Sequence, residues 1–222
     1  MDNIKLHYTE HGSGEPLILL HGNGEDSSYF ERQIAFFQNR YRVIAVDTRG
    51  HGKSPRGTAP LTLNQFADDS RAFMDELDIA STHILGFSDG ANVAMLFALA
   101  HPTRVKSLVL NGGNLFPEGL TEQTRREIDD EYEQAVAAND ESLLELLRLM
   151  IDEPHIDPVQ LSELSMPTLV VAGTDDMIEE THTRLIAESI PNAQLAIIEG
   201  THFVAFENSD AFNRVVSEFL SK

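Results

Sequence analysis

A chain of 222 residues without a single cysteine has room for one domain with a sizeable core, and it excludes disulfide frameworks and thiolate metal sites. Its 36 Asp and Glu against 16 Lys and Arg give a formal net charge of −20, which disfavours nucleic acid and anionic membrane partners. Met1-Asp2-Asn3-Ile4-Lys5 has neither the basic start nor the apolar stretch of a signal peptide, and no run reaches membrane-spanning length, so the expected home is the cytoplasm.

The first elements are short. Ile4 to Tyr8 alternates like an edge strand, with a turn at His11-Gly12-Ser13-Gly14. Pro16 to Leu20 is solidly apolar and reads as a central strand covered on both faces. It empties into His21-Gly22-Asn23-Gly24, a loop whose backbone N–H groups can point at a ligand. Ser27 or Ser28 is the expected cap of a helix to about Gln38, with Phe30, Ile34 and Phe37 at helical spacing. Arg42 to Val46 is the next buried strand, and strand, helix, strand in this order predicts a parallel α/β sheet. The octapeptide Asp47 to Ser54 then reads as a tight turn that braces its neighbours.

Thr62 caps a predicted helix to about Leu77, with Ser70 on its apolar face, where a hydroxyl bonds a carbonyl one turn back. Thr82 to Leu85 is a strand, Gly86-Phe87-Ser88-Asp89-Gly90 a sharp turn, and Ala91 to Ala100 an apolar helix. In this context G-x-S-x-G presents Ser88 above the sheet as a nucleophile, with the Asp89 N–H and the helix dipole aimed at the same point. Val105 to Leu110 is a further strand, closed by Asn111-Gly112-Gly113. Between Glu118 and Asp157 thirteen acidic residues stand against three basic ones. That segment predicts helices from about Thr121 to Ala138 and from Asp140 to Ile151, a cap insertion over 114–162 in a single domain of 1–222. Strands at Met166 to Ala172 and Gln194 to Ile198, and helices at Glu179 to Ile190 and Asn208 to Leu220, complete the chain.

A serine hydroxyl needs a base, and the base needs a carboxylate to hold its tautomer. In chain order the sequence offers Ser88, then Asp175-Asp176 after a late strand, then His202 after the last strand. His7, His11, His51, His83, His101, His155 and His182 lack ligand spacing, and His21 is read as a brace of its loop, so no metal and no cofactor is expected.

His21-Gly22-Asn23-Gly24, Asp47-x-Arg49-Gly50-x-Gly52-x-Ser54, Gly86-x-Ser88-x-Gly90, Gly173-x-x-Asp176 and Gly200-Thr201-His202-Phe203 together resemble the α/β-hydrolase superfamily over essentially the whole chain. The resemblance implies an α/β-hydrolase fold with a mostly parallel sheet and a small helical cap. It makes Ser88 the nucleophile, His202 the general base and Asp176, over Asp175, the acid. It also implies an oxyanion hole from the backbone of Asn23 and Asp89, with Gly22 and Asp89 as substrate contacts. The implied activity is hydrolysis of a small carboxylic ester or related acyl bond, with a small molecule as substrate. Thioester, lactone, amide and C–C bonds share the same triad, and a small-molecule sensor similar to hydrolase-derived hormone receptors is the competing class. Ser-Asp-Gly is similar to the elbow of amino-acid-ester hydrolases of the valacyclovir hydrolase type, where that carboxylate holds an amine. Here the Asp89 side chain either does the same, with Glu25 and Asp26 favouring cationic acyl groups, or caps its helix.

Overall fold

The structure, a computed structural model, describes residues 4–222. Its sheet has seven strands: β1 (Tyr8–His11), β2 (Glu15–Leu20), β3 (Tyr41–Val46), β4 (Thr82–Phe87), β5 (Val105–Asn111), β6 (Thr168–Asp175) and β7 (Gln194–Thr201). They lie in the order β1-β3-β2-β4-β5-β6-β7, with β1 antiparallel to β3 and every other neighbour parallel. Helices α1 (Glu31–Phe37), α2 (Leu63–Glu76), α3 (Asp89–Ala100), α4 (Glu122–Ala138), α5 (Glu141–Asp152), α6 (Glu180–Ser189), α7 (Val204–Glu207) and α8 (Ser209–Leu220) complete it.

The period of two along each strand divides the core. Ile18 and Leu20 of β2 face Met74, Val93 and Phe97 of α2 and α3, whereas Leu17 and Leu19 face Phe37, Phe212 and Val216 of α1 and α8. Because both faces are covered, the central strands are continuous apolar runs. Helix α3 crosses the middle of the sheet and is buried almost all round, through Ala91, Val93, Ala94, Met95, Phe97 and Ala98.

Between β5 and β6 the chain leaves the sheet for α4 and α5. These helices share a separate cluster, Ile128, Ala135, Leu144 and Leu147 with Leu120 and Ile178, while Leu149 of α5 reaches into the main core. Among the described residues no helix is long and apolar enough to cross a membrane.

Some elements differ from the expectation. The first strand is Tyr8–His11, not Ile4 to Tyr8, because the His7 N–H is spent on the Ser54 hydroxyl at 2.8 Å rather than on β3. The turn before α1 is capped by Asp26, whose carboxylate accepts the Ser28 N–H, rather than by a serine. Strand β7 extends to Thr201, which pairs with Asp175 beyond a register shift, and a short helix α7 precedes α8, which itself matches the expected helix from Asn208 to Leu220. Thr62 and Asp140 cap their helices as expected, Thr121 caps the helix that begins there, and the Ser70 hydroxyl bonds the Phe66 carbonyl as expected.

Candidate active site

The carboxyl ends of β2, β4, β5, β6 and β7 deliver the site. At the end of β4, Ser88 adopts φ 54° and ψ −121°, a strained conformation for a residue with a side chain. Its N–H donates to the Asn111 carbonyl at 2.8 Å, and its own carbonyl accepts the Ala91 N–H at 2.8 Å. The glycines on either side are steric necessities: a Cβ at Gly86 would lie 2.2 Å from the Gly90 oxygen, and one at Gly90 would lie 2.0 Å from the Leu20 oxygen. Ser88 is half-buried at the start of α3, where the helix dipole is positive.

The loop after β2 lies against this turn. A Cβ at Gly22 would stand 3.1 Å from the Ser88 Cβ. Two ties hold the loop from below. His21 Nε2 accepts the Thr48 N–H at 3.0 Å, so Nδ1 carries the proton and donates to the Gly22 carbonyl at 2.7 Å. Burial drives the His21 pKa down to about 4, so the ring stays neutral and acts as a brace. On the other side the Gly22 N–H donates to Glu25 at 3.2 Å. Burial pushes the Glu25 carboxyl up to about 7, against the opposing pull of that N–H and of His202.

Asn23 presents its side chain to Asp89, with Nδ2 3.0 Å from Oδ2. The Asp89 carboxyl is therefore neither a simple cap of α3 nor bare. It is buried, accepts from Asn23, and burial pushes its pKa up to about 6.

His202 follows β7, and its Nδ1 stands 2.6 Å from Asp176 Oδ1, both side chains being buried. Asp176 also accepts the N–H groups of Gly173 and Ile178. Burial alone would raise its pKa. The hydrogen bond and charge of His202, with the two backbone donors, outweigh that, and the carboxyl titrates below its ordinary value. The neighbouring Asp175 is exposed at the end of β6, so the carboxylate that meets His202 is Asp176. With Nδ1 engaged, Nε2 is the ring's proton acceptor. Phe87 packs on the ring at 4.9 Å between centroids, and Gly112, whose chain neighbour Asn111 bonds Ser88, presses against its edge.

The turn after β3 is structural, as expected. Asp47 accepts the N–H groups of Ser27 and Lys53, and Arg49, fully buried, forks onto Asp69 at 2.7 and 2.8 Å. Among the described residues no group of three or more His, Cys, Asp or Glu is placed to hold a metal ion. The Asn23 side-chain bonds, the Gly22–Glu25 contact and the packing of Gly112 on His202 were not legible in the sequence, although Gly22, Asn23, Glu25 and the Asn-Gly-Gly that closes β5 each stood out there.

The geometry agrees with what the chain is similar to. A family model described as alpha/beta hydrolase fold matches residues 15–149. A 2-hydroxy-6-oxononadienedioate/2-hydroxy-6-oxononatrienedioate hydrolase of Cupriavidus pinatubonensis is 32% identical, the match covering 98% of this chain and 91% of that protein. A 3-oxoadipate enol-lactonase of Acinetobacter baylyi is 26% identical over 99% of this chain and 94% of its own. The crystal structure of an enol-lactonase from Burkholderia xenovorans superposes with a TM-score of 0.84 at 25% identity, covering 99% of this chain and 97% of that one. Similar over nearly their whole length to these enzymes, and matched by the family model over more than half its residues, the chain belongs to the α/β-hydrolase fold family and is a hydrolase of that fold.

Proposed function

We propose that this hydrolase cleaves small, uncharged carboxylic esters or lactones through an acyl-enzyme, with Ser88, His202 and Asp176 as its triad. The observation that carries this reading is the His202–Asp176 contact at 2.6 Å beside a serine held at φ 54°. In the reaction Ser88 Oγ attacks the carbonyl carbon while its proton passes to His202 Nε2. Asp176 stabilises the imidazolium and keeps the ring in the tautomer that can accept. The N–H groups of Asn23 and Asp89 receive the oxyanion, a contribution that is typically on the order of a hundredfold or more per donor. His202 then gives its proton to the departing alkoxide. Water activated by the same ring frees the acyl group. Helices α4 and α5 act as the cap.

Charge at the oxyanion loop sets the preference for the acyl group. The names of the hydrolase from Cupriavidus and the enol-lactonase from Acinetobacter point to carboxylate-bearing substrates. In this chain Glu25 bonds one residue of the oxyanion loop and Asp89 bonds the next. When ionised, two carboxylates there repel a third brought in by substrate. Neutral acyl groups are therefore favoured over carboxylate-bearing ones.

The deciding experiment is hydrolysis of p-nitrophenyl esters from acetate to octanoate by the wild type and by Ser88→Ala. Turnover that the alanine variant loses supports the reading, and the best chain length sizes the pocket. Equal rates in both proteins would refute it. Binding of such esters without turnover would favour the sensor class.

A further inference from the structure

The Asn23 side chain reaches two other parts of the chain at once. Its Nδ2 donates to Asp89 Oδ2 at 3.0 Å and to the Leu146 carbonyl of α5 at 3.0 Å. An amide NH₂ has two hydrogens, so its donor capacity is fully used. The joined segments are distant in sequence, by 66 and 123 residues. They are the loop after β2, the first residue of α3, and the middle of a helix inserted between β5 and β6.

Within Gly22-Asn23-Gly24 only Asn23 has a side chain that could anchor the loop. Gly24 sits at φ +72° with nothing within 4 Å of where a Cβ would be, so that side of the loop is not packed into place. The anchor at Asp89 belongs to the residue that directly follows Ser88. Asp89 is faced by Asn92 of its own helix, by Glu153 just after α5 and by His202 from the loop after β7. The anchor at Leu146 is steadied independently. Arg56 forks onto Glu145, with Nε 2.9 Å from Oε2, and Glu153 accepts the Leu63 N–H at 2.7 Å at the start of α2.

We infer that the Asn23 side chain is the positioning residue of the oxyanion hole, fixing the spacing of the Asn23 and Asp89 N–H groups and tying that spacing to the seating of α5. The inference rests on the acyl-transfer reading above. Two donors stabilise one oxyanion only when both lie at hydrogen-bond distance from the same point, and a misplacement of about 1 Å can cost about a hundredfold. If the amide merely stapled α5 to the body, its loss would lower stability and leave kcat alone.

The test compares wild type, Asn23→Ala, Asn23→Asp and the double variant Asn23→Asp/Asp89→Asn on one neutral p-nitrophenyl ester. Each rate is taken as a ratio to wild type at the same pH. Asn23→Ala is expected to lower kcat about a hundredfold with KM changed less than about threefold. Asn23→Asp sets three acceptors against one another, so its ratio is expected to be lowest at pH 8 and to recover towards pH 6, where the carboxyl pair holds a shared proton. The double variant exchanges the two groups, so that the amide now on α3 donates to the carboxylate now on the loop. It is expected to regain at least about tenfold at pH 8 over Asn23→Asp. Wild-type kcat in Asn23→Ala, or no recovery in the double variant, would overturn the proposal.

Hydrogen exchange by mass spectrometry supplies a readout that needs no turnover. Residues 21–26 are expected to exchange faster in Asn23→Ala than in wild type, and unchanged exchange would also overturn the proposal. If Ser88→Ala retained activity, the acyl-transfer reading would fail by itself, and the exchange data would still decide whether the amide holds the loop.

Discussion

Gly112 and His202 are in such close contact that a methyl group on the glycine would lie 2.7 Å from Cε1 of the ring and 2.9 Å from Nδ1. The glycine also sits at φ +63°, which a residue with a Cβ adopts only with strain. Gly112→Ala is expected to push the ring away from Ser88 and lower kcat on the order of a hundredfold. The fold should survive, with the melting temperature lowered by a few degrees, about what 1 kcal/mol of strain produces in a chain of this size. Ester turnover and circular-dichroism melting of the one variant check both.

Asp176 and Asp175 separate cleanly. Asp176→Asn is expected to lower kcat roughly 10³- to 10⁴-fold, because the asparagine favours the wrong imidazole tautomer. Asp175→Asn, on an exposed carboxylate, should keep the wild-type rate. A stability signature accompanies this. The folded Asp176 pKa lies below its unfolded value, so its contribution is present above that unfolded value and fades as pH falls through the folded one. Below about pH 4 the wild type should therefore lose melting temperature more steeply than Asp176→Asn.

Glu25 has the opposite sign. Its pKa is raised from 4.5 to about 7, so between these values the folded protein keeps a proton that the unfolded chain releases. The unfolded state then binds fewer protons, and stability falls as pH rises through this window and levels off above it. Glu25→Gln keeps an acceptor for the Gly22 N–H and removes the titration. Its melting temperature, measured against wild type from pH 4.5 to 7.5, is expected to gain steadily on the wild type.

Substrate charge gives a further test. A substrate carboxylate about 8 Å from one ionised carboxylate, at an effective dielectric of about 20, meets about 2 kcal/mol of repulsion, or about thirtyfold in rate. Mono-p-nitrophenyl succinate at pH 8 should show a kcat/KM lower than p-nitrophenyl butyrate by that order. The gap should narrow with added salt and in Glu25→Gln. Equal values at low salt would remove the electrostatic argument.

Much of the architecture was legible because its causes are local. Leu17 to Leu20 had to be a buried strand, since four successive apolar side chains can be covered only by helices on both faces. Gly86 and Gly90 marked a turn too tight for any side chain, and Thr62 and Asp140 capped helices through their own neighbours. Where a bond reached a distant segment, the local sequence carried no sign of it. The edge strand began at Tyr8 because Ser54, 47 residues away, takes the His7 N–H.

The sequence by itself determined the serine on its turn, the loops at the strand ends and the order in which nucleophile, carboxylates and imidazole arrive. These follow from spacing, periodicity and the steric demands of glycine. The resemblance already pointed to Asp176 over Asp175, and the structure brings Asp176 to His202; tertiary structure alone decided that Glu25 takes the Gly22 N–H and that Asn23 joins Asp89 to α5. Adjacent carboxylates are chemically identical until the end of β6 turns one outward and one inward. An amide likewise has no assigned partner until segments 66 and 123 residues apart are packed against it.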